Sequence, residues 1–140
     1  MKKNNRTAFE CLVANLRTFK LKCTPVNEAE IENGVEKFLK KKRFLVRRQV
    51  VSMTLRGWSL CSTSPKGRFD LAVGKFIIEV KLIGHRKVVE QLDRYSAFCE
   101  GLILLCWKAT GPVKKLFVLA KSQSSIPIEL IEISKNCDLV

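Results

Sequence analysis

The sequence predicts an α/β domain in which helices flank a mixed central β-sheet. Three observations predict it. Segments of helical and strand period follow one another in the order helix, helix, three strands, helix, strand, strand. A helical stretch lies between a hairpin and the next strand, and such a connection is a crossover that brings the chain back parallel. The strand runs, "LILLCW" above all, are apolar enough to require cover on both sheet faces. With 140 residues, 46% of them hydrophobic, the chain fits one domain with a real core.

The elements follow in order. Residues 7–21 place Phe9, Leu12, Val13 and Leu16 at helical spacing. "KCTPVN" ends that helix, because Pro25 forces its predecessor out of helical geometry. Asn27 is a good N-cap, and Glu30 stands three residues on, where a capping-box carboxylate belongs. The next helix is expected over 28–42, with acids in its first turn, Lys40, Lys41 and Lys42 in its last, and Ile31, Val35, Phe38 and Leu39 as its apolar stripe. Residues 43–55 read as a long strand and 56–67 as an exposed loop rich in Ser and Gly. Residues 68–73 and 75–83 form a hairpin about a Gly-Lys turn. A helix is expected over 85–101, stopped by Gly101, then the strand "LILLCW", a turn at "KATGPVK", and a last strand "KLFVLA" at 115–120. The expected organisation is an N-terminal helical extension over 1–27, a core over 28–120 and a tail over 121–140.

Charge is the strongest global signal. Twenty-six Lys and Arg against 13 Asp and Glu leave +13, and 13 of the basic residues fall in the first 48 positions against five acids. Such an excess attracts a polyanion and releases counterions when phosphates are neutralised, so nucleic acid is the expected partner. An anionic membrane surface, an acidic protein or a merely solvated basic surface are the competing readings. No stretch approaches a membrane-spanning helix and no apolar segment follows the basic start, so a cytoplasmic, intracellular protein is expected. The six cysteines show no C-x-x-C pair or neighbouring His, and read as reduced apolar fillers; in a hyperthermophile they could pair. A single His85 argues against His-based triads, and no Gly-rich phosphate loop or nucleophile elbow is present. Trp58 and Trp107 read as core.

The hairpin carries the unusual residues. Strand alternation puts Glu79 and Lys81 on one face with Ile77, while Phe76, Ile78, Val80 and Leu82 take the other. Asp70 shares a face with Ala72. If pairing brings Asp70 to the Glu79 side, two carboxylates meet beside one ammonium. Side by side they repel, burial favours protonating them, and a divalent cation removes the conflict. A salt-bridged cluster at a strand edge is the plain alternative. On the helix, Glu32 lies at the seam between the apolar stripe and solvent, from where it reaches over the sheet; Glu36 sits further round, where solvation is expected.

The order helix Glu, strand Asp, then Glu-x-Lys resembles the PD-(D/E)XK nuclease superfamily. Within it, "IENGVEKFLKKKRFLVRR", "SPKGRFDLAV" and "FIIEVKL" look most like archaeal-type Holliday-junction resolvases and their viral relatives. "QLDRY" is similar to the Gln-x-x-x-Tyr element of RecB-type nucleases. The resemblance covers roughly 28–120; Phe69 stands where the nominal motif has Pro. It implies a restriction-endonuclease-like αβββαβ core with an extra N-terminal helix, and a Mg²⁺- or Mn²⁺-dependent DNA endonuclease. Asp70, Glu79 and the Val80 carbonyl would hold the cation, with Glu32 supporting it directly or through water. Lys81 would orient the attacking water or stabilise the transition state, and Gln91 and Tyr95 would position Lys81 or the scissile phosphate. Ser64, Lys66 and Arg68, extended by Arg47, Arg48, Arg86 and Lys87, are the expected phosphate contacts. A homodimer would present two sites to a symmetric junction. A repair or restriction-type nuclease for linear or single-stranded DNA, and a catalytically silent nucleic-acid-binding module, are the alternatives.

Overall fold

The computed structural model of the protein describes residues 2–51, 68–84, 89 and 99–135. The expected loop at 56–67, most of the expected helix at 85–101 and the last five residues lie outside the described residues.

A five-stranded sheet forms the centre, in the order β2-β3-β4-β5-β6. Its strands are β2 (Val46–Val51), β3 (Arg68–Val73), β4 (Phe76–Gly84), β5 (Gly101–Ala109) and β6 (Ile128–Glu132). The first three pair antiparallel and the last three parallel, which makes the mixed sheet the sequence predicts. Gly74, at a φ of 61°, opens the two-residue turn between β3 and β4, where a left-handed backbone favours glycine.

Alternation sorts the core into two layers. Leu71, Val73, Phe76, Ile78, Val80, Ile103 and Leu105 face helices α1 (Lys2–Leu16) and α2 (Glu28–Lys41), meeting Phe9, Leu12, Leu16, Ile31, Val35 and Leu39. Ala72, Ile77, Leu102 and Leu104 face the other way, against Val89, Cys99 and the helix α3 (Gly111–Gln123) with its Val113 and Phe117. Fully burying a Leu or Ile is worth about 1.5–3 kcal/mol, so each layer contributes substantially.

Helix α2 starts as its residues dictate. The Asn27 side chain accepts from the Glu30 N–H at 3.0 Å, and Glu30 Oε2 reaches back to the N–H of Val26 at 3.0 Å. It ends with Arg43 in the left-handed region, φ 71°, so the next strand begins at Val46 rather than directly after the helix.

Several boundaries differ from expectation, the first helix among them, which ends at Leu16 rather than 21. The residues 115–120 belong to α3, not to a strand. Thr110 caps that helix, its Oγ1 accepting from the Val113 N–H at 3.3 Å, with Pro112 in the first turn. "KLFVLA" looks continuously apolar, yet Val118 and Leu119 are exposed while Val113 and Phe117, four apart, are buried. The fifth strand is β6, inside the expected tail. The N-terminal helix joins the core packing: Phe9 packs edge-to-face on Phe76, 5.3 Å between ring centroids. Gly101, the first residue of β5, belongs to that contact, because a Cβ there would stand 2.5 Å from the Phe9 ring. After α1, the short strand β1 (Lys20–Leu21) pairs parallel with β7 (Ser134–Lys135), tying the two ends together.

Candidate active site

Strands β3 and β4 part company at the residues of interest. Their ladder runs Val73 opposite Phe76, Ala72 opposite Ile77, Leu71 opposite Ile78, and stops. β3 nevertheless stays paired with β2 as far as Arg68. Beyond the break, side-chain carboxylates replace the missing carbonyl acceptors. The Val80 N–H donates to Asp70 Oδ2 at 2.9 Å, and the Asp70 N–H donates to Glu79 Oε1 at 3.4 Å. One residue pair further, the Leu82 N–H donates to Glu28 Oε2 at 3.4 Å. Buried backbone donors need partners, and this seam finds them in three acids.

Register puts the two strand acids on one face. Ala72 opposes Ile77, so Asp70, two residues before the one, and Glu79, two after the other, project to the same side. Lys81 follows on that face, half-buried.

Electrostatics there are unfavourable for two free carboxylates. Glu79 is 4% exposed, and its carboxyl is pushed up to about 8, first by burial and then by the negative charge of Asp70, against the pull of Lys81. Asp70 is pushed up to about 6, chiefly by burial; the Val80 N–H opposes this, the charge of Glu32 adds to it, and Lys81 again opposes. The charge of Glu28 also raises Asp70.

Glu32, 7% exposed, stands behind the pair on α2. Its Oε1 is held by Arg48 at 3.1 Å, whose other terminal nitrogen meets Glu36 at 3.4 Å and the Asn33 side chain at 2.6 Å. Arg48 sits opposite Leu71 on β2, so it faces α2 from below. Its Nε is buried with no hydrogen-bond partner. Glu36 is therefore not simply solvated: it is half-buried and its pKa is lowered, first by the hydrogen bond from Lys40 and also by Arg48.

The structure thus brings Asp70 and Glu79 together with Lys81 in their field and places Glu32 close enough to act on both. Among the described residues no three His, Cys, Asp or Glu side chains gather into a ready-made metal cage. The expected phosphate contacts fare differently. Arg48 gives its guanidinium to α2. Arg47 is exposed and donates to the Gly74 carbonyl at 3.2 Å, at the turn end of the hairpin. Arg68 lies on β3 two residues before Asp70. Ser64, Lys66, Arg86, Lys87, Gln91 and Tyr95 lie outside the described residues, as do His85 and Trp58. Trp107 packs at the margin of the first core layer. Of the cysteines, Cys99 and Cys106 are buried fillers, whereas Cys11 and Cys23 are exposed; burial pushes the Cys106 thiol up to about 12.

Sequence reasoning missed Glu28. Its place in the first turn of α2 explained it fully as a dipole-matching acid. The available signal was its spacing: it lies four residues before Glu32, on the same helix face.

No protein family, no curated protein and no solved structure matches the chain. Among the described residues, no helix is long and apolar enough to cross a membrane.

Proposed function

We propose that the protein is a divalent-metal-dependent nuclease of the PD-(D/E)XK kind, hydrolysing phosphodiester bonds in DNA, with branched DNA as the preferred substrate and a homodimer as the working form. One observation carries the reading: the β3–β4 ladder opens where Asp70 and Glu79 meet, on the face that also carries Lys81.

The donor set fits a hard cation. Two carboxylates that burial and mutual repulsion drive towards protonation gain most from a positive charge between them. Asp70, Glu79 and the Val80 carbonyl would hold Mg²⁺ or Mn²⁺, with water completing the shell. When bound, the cation supplies Lewis acidity that lowers the pKa of a coordinated water and offsets charge growing on the phosphate. Lys81 would orient that water or donate to a non-bridging phosphate oxygen. Glu32, fixed by Arg48, would support the cation directly or through water. The net charge of +13 supplies attraction for the nucleic acid.

The test is incubation with four-way, flap and linear DNA, in Mg²⁺ or in EDTA. Cutting in Mg²⁺ that EDTA abolishes, strongest on the four-way substrate, is the expected result. Tight binding with no cutting in Mg²⁺ or Mn²⁺ would make the protein a nucleic-acid-binding module instead.

A further inference from the structure

The C-terminal end of α2 carries more positive charge than the helix needs. Lys37, Lys40, Lys41, Lys42 and Arg43 are all exposed. One or two cations offset a helix dipole, whose effect is confined to the last turn. Lys40 pairs with Glu36 at 2.9 Å, and Lys42 lies over the Phe38 ring at 5.7 Å from its centroid. Among the described residues, Lys37, Lys41 and Arg43 have no ion-pair partner within 4.0 Å. Lys37 and Lys41, four residues apart, share a helix face, where like charges repel.

The backbone supplies a second, independent observation. The Arg43 N–H donates to the Lys40 carbonyl at 2.9 Å and the Phe44 N–H to the Leu39 carbonyl at 3.0 Å. That is the closing turn whose left-handed position glycine normally fills. Here it holds an arginine at φ 71°. The chain therefore sustains a left-handed backbone to keep a guanidinium at this spot, and strain of this kind concentrates at functional positions.

The same helix delivers Glu32 to the acid site. Lys37 and Lys41 stand five and nine residues further on, about 8 and 14 Å along the axis and on the opposite, solvent-facing side of the helix.

We propose that Lys37, Lys41 and Arg43 form an outlying phosphate clamp on the solvent-facing side of α2, gripping the backbone of a DNA arm away from the bond addressed by Asp70 and Glu79. The clamp rests on the nuclease reading for its substrate, but it is read by binding alone.

The experiment is fluorescence anisotropy with labelled duplex and four-way DNA in EDTA. It compares the wild-type chain, the single variant Arg43→Gly, and the triple variant Lys37→Gln, Lys41→Gln, Arg43→Gly. The triple variant should bind about tenfold or more weakly, and its plot of log affinity against log salt should be flatter by about three. Arg43→Gly alone should weaken binding while raising the Tm by about 2 °C, since it relieves the left-handed strain. Equal affinity and equal salt slope for triple variant and wild type would overturn the clamp. So would loss of binding to phosphatidylserine vesicles with DNA binding intact, which would mark a membrane surface. A chain that binds through these residues but never cuts in Mg²⁺ would remove the nuclease reading and leave the clamp standing.

Discussion

The Val80 N–H reaches Asp70 Oδ2 across 2.9 Å, where a β3 carbonyl would stand had the ladder continued past Leu71. Asp70 in turn sends its own N–H to Glu79. Each acid is thereby fixed by the backbone of the strand that carries the other. The two carboxylates are how this sheet terminates an open seam, and they are held close by main-chain geometry rather than by flexible side chains.

Holding them there has a cost that a neutral isostere relieves. Glu79→Gln keeps an oxygen to accept from the Asp70 N–H and removes the buried charge. In EDTA at pH 8.5 this variant should be more stable than wild type by about 1–2 kcal/mol. Urea denaturation of the two proteins side by side measures it; a clear loss of stability would contradict the account of the seam.

The pH dependence has a definite sign. Asp70 is raised from 3.8 to about 6 and Glu79 from 4.5 to about 8, so the folded state binds more protons than the unfolded chain between those values. Their contribution to stability is complete below the unfolded values and is lost as pH rises through 6 and then 8. Without metal, thermal stability should therefore fall from pH 5 to pH 9, by an amount on the order of a few kcal/mol. Mn²⁺ should restore the alkaline loss and release protons as it binds. A metal-free melting temperature that rises across this interval would refute the burial argument.

Arg48 anchors the helix acid to the sheet. Arg48→Met leaves Glu32, 7% exposed, without its 3.1 Å partner. A loss of about 1–3 kcal/mol is expected, tempered by the partial exposure of the pair. Glu32→Gln in the same background should recover part of it, so a double-mutant cycle in urea reads the coupling directly.

Lys81 is a test of division of labour. Lys81→Ala should slow cleavage about a hundredfold while leaving Mn²⁺ affinity unchanged or slightly tighter, because a competing positive charge is gone. Single-turnover cleavage and calorimetric Mn²⁺ titration separate the two. Loss of metal affinity in step with rate would assign Lys81 to the metal shell instead.

Much of this was legible in local pattern. Alternation put Glu79 and Lys81 on one face, and Asn27 with Glu30 marked the start of α2; that Asp70 shares their face follows from the β3–β4 register. Two things were hidden, for different reasons. "KLFVLA" misled because Val118 and Leu119 are exposed apolar residues that fill in the helical pattern of Val113 and Phe117. The breaking of the ladder after Leu71 has no local signature, since it depends on where β2 and β4 pull β3. The grip of Arg48 on Glu32 is likewise tertiary: sixteen residues separate them, and Arg48 alone reads as another basic residue in a basic chain. Nor does the N-terminal helix announce that Phe9 needs Gly101 to be bare.

The most direct measurement is calorimetric titration of Mn²⁺ into the wild-type protein and into Asp70→Asn and Glu79→Gln at pH 7.5. If these carboxylates share a cation, wild type binds it with displacement of protons and each substitution weakens binding at least about tenfold. Identical isotherms for all three proteins would mean that the acids at the open seam serve the backbone alone.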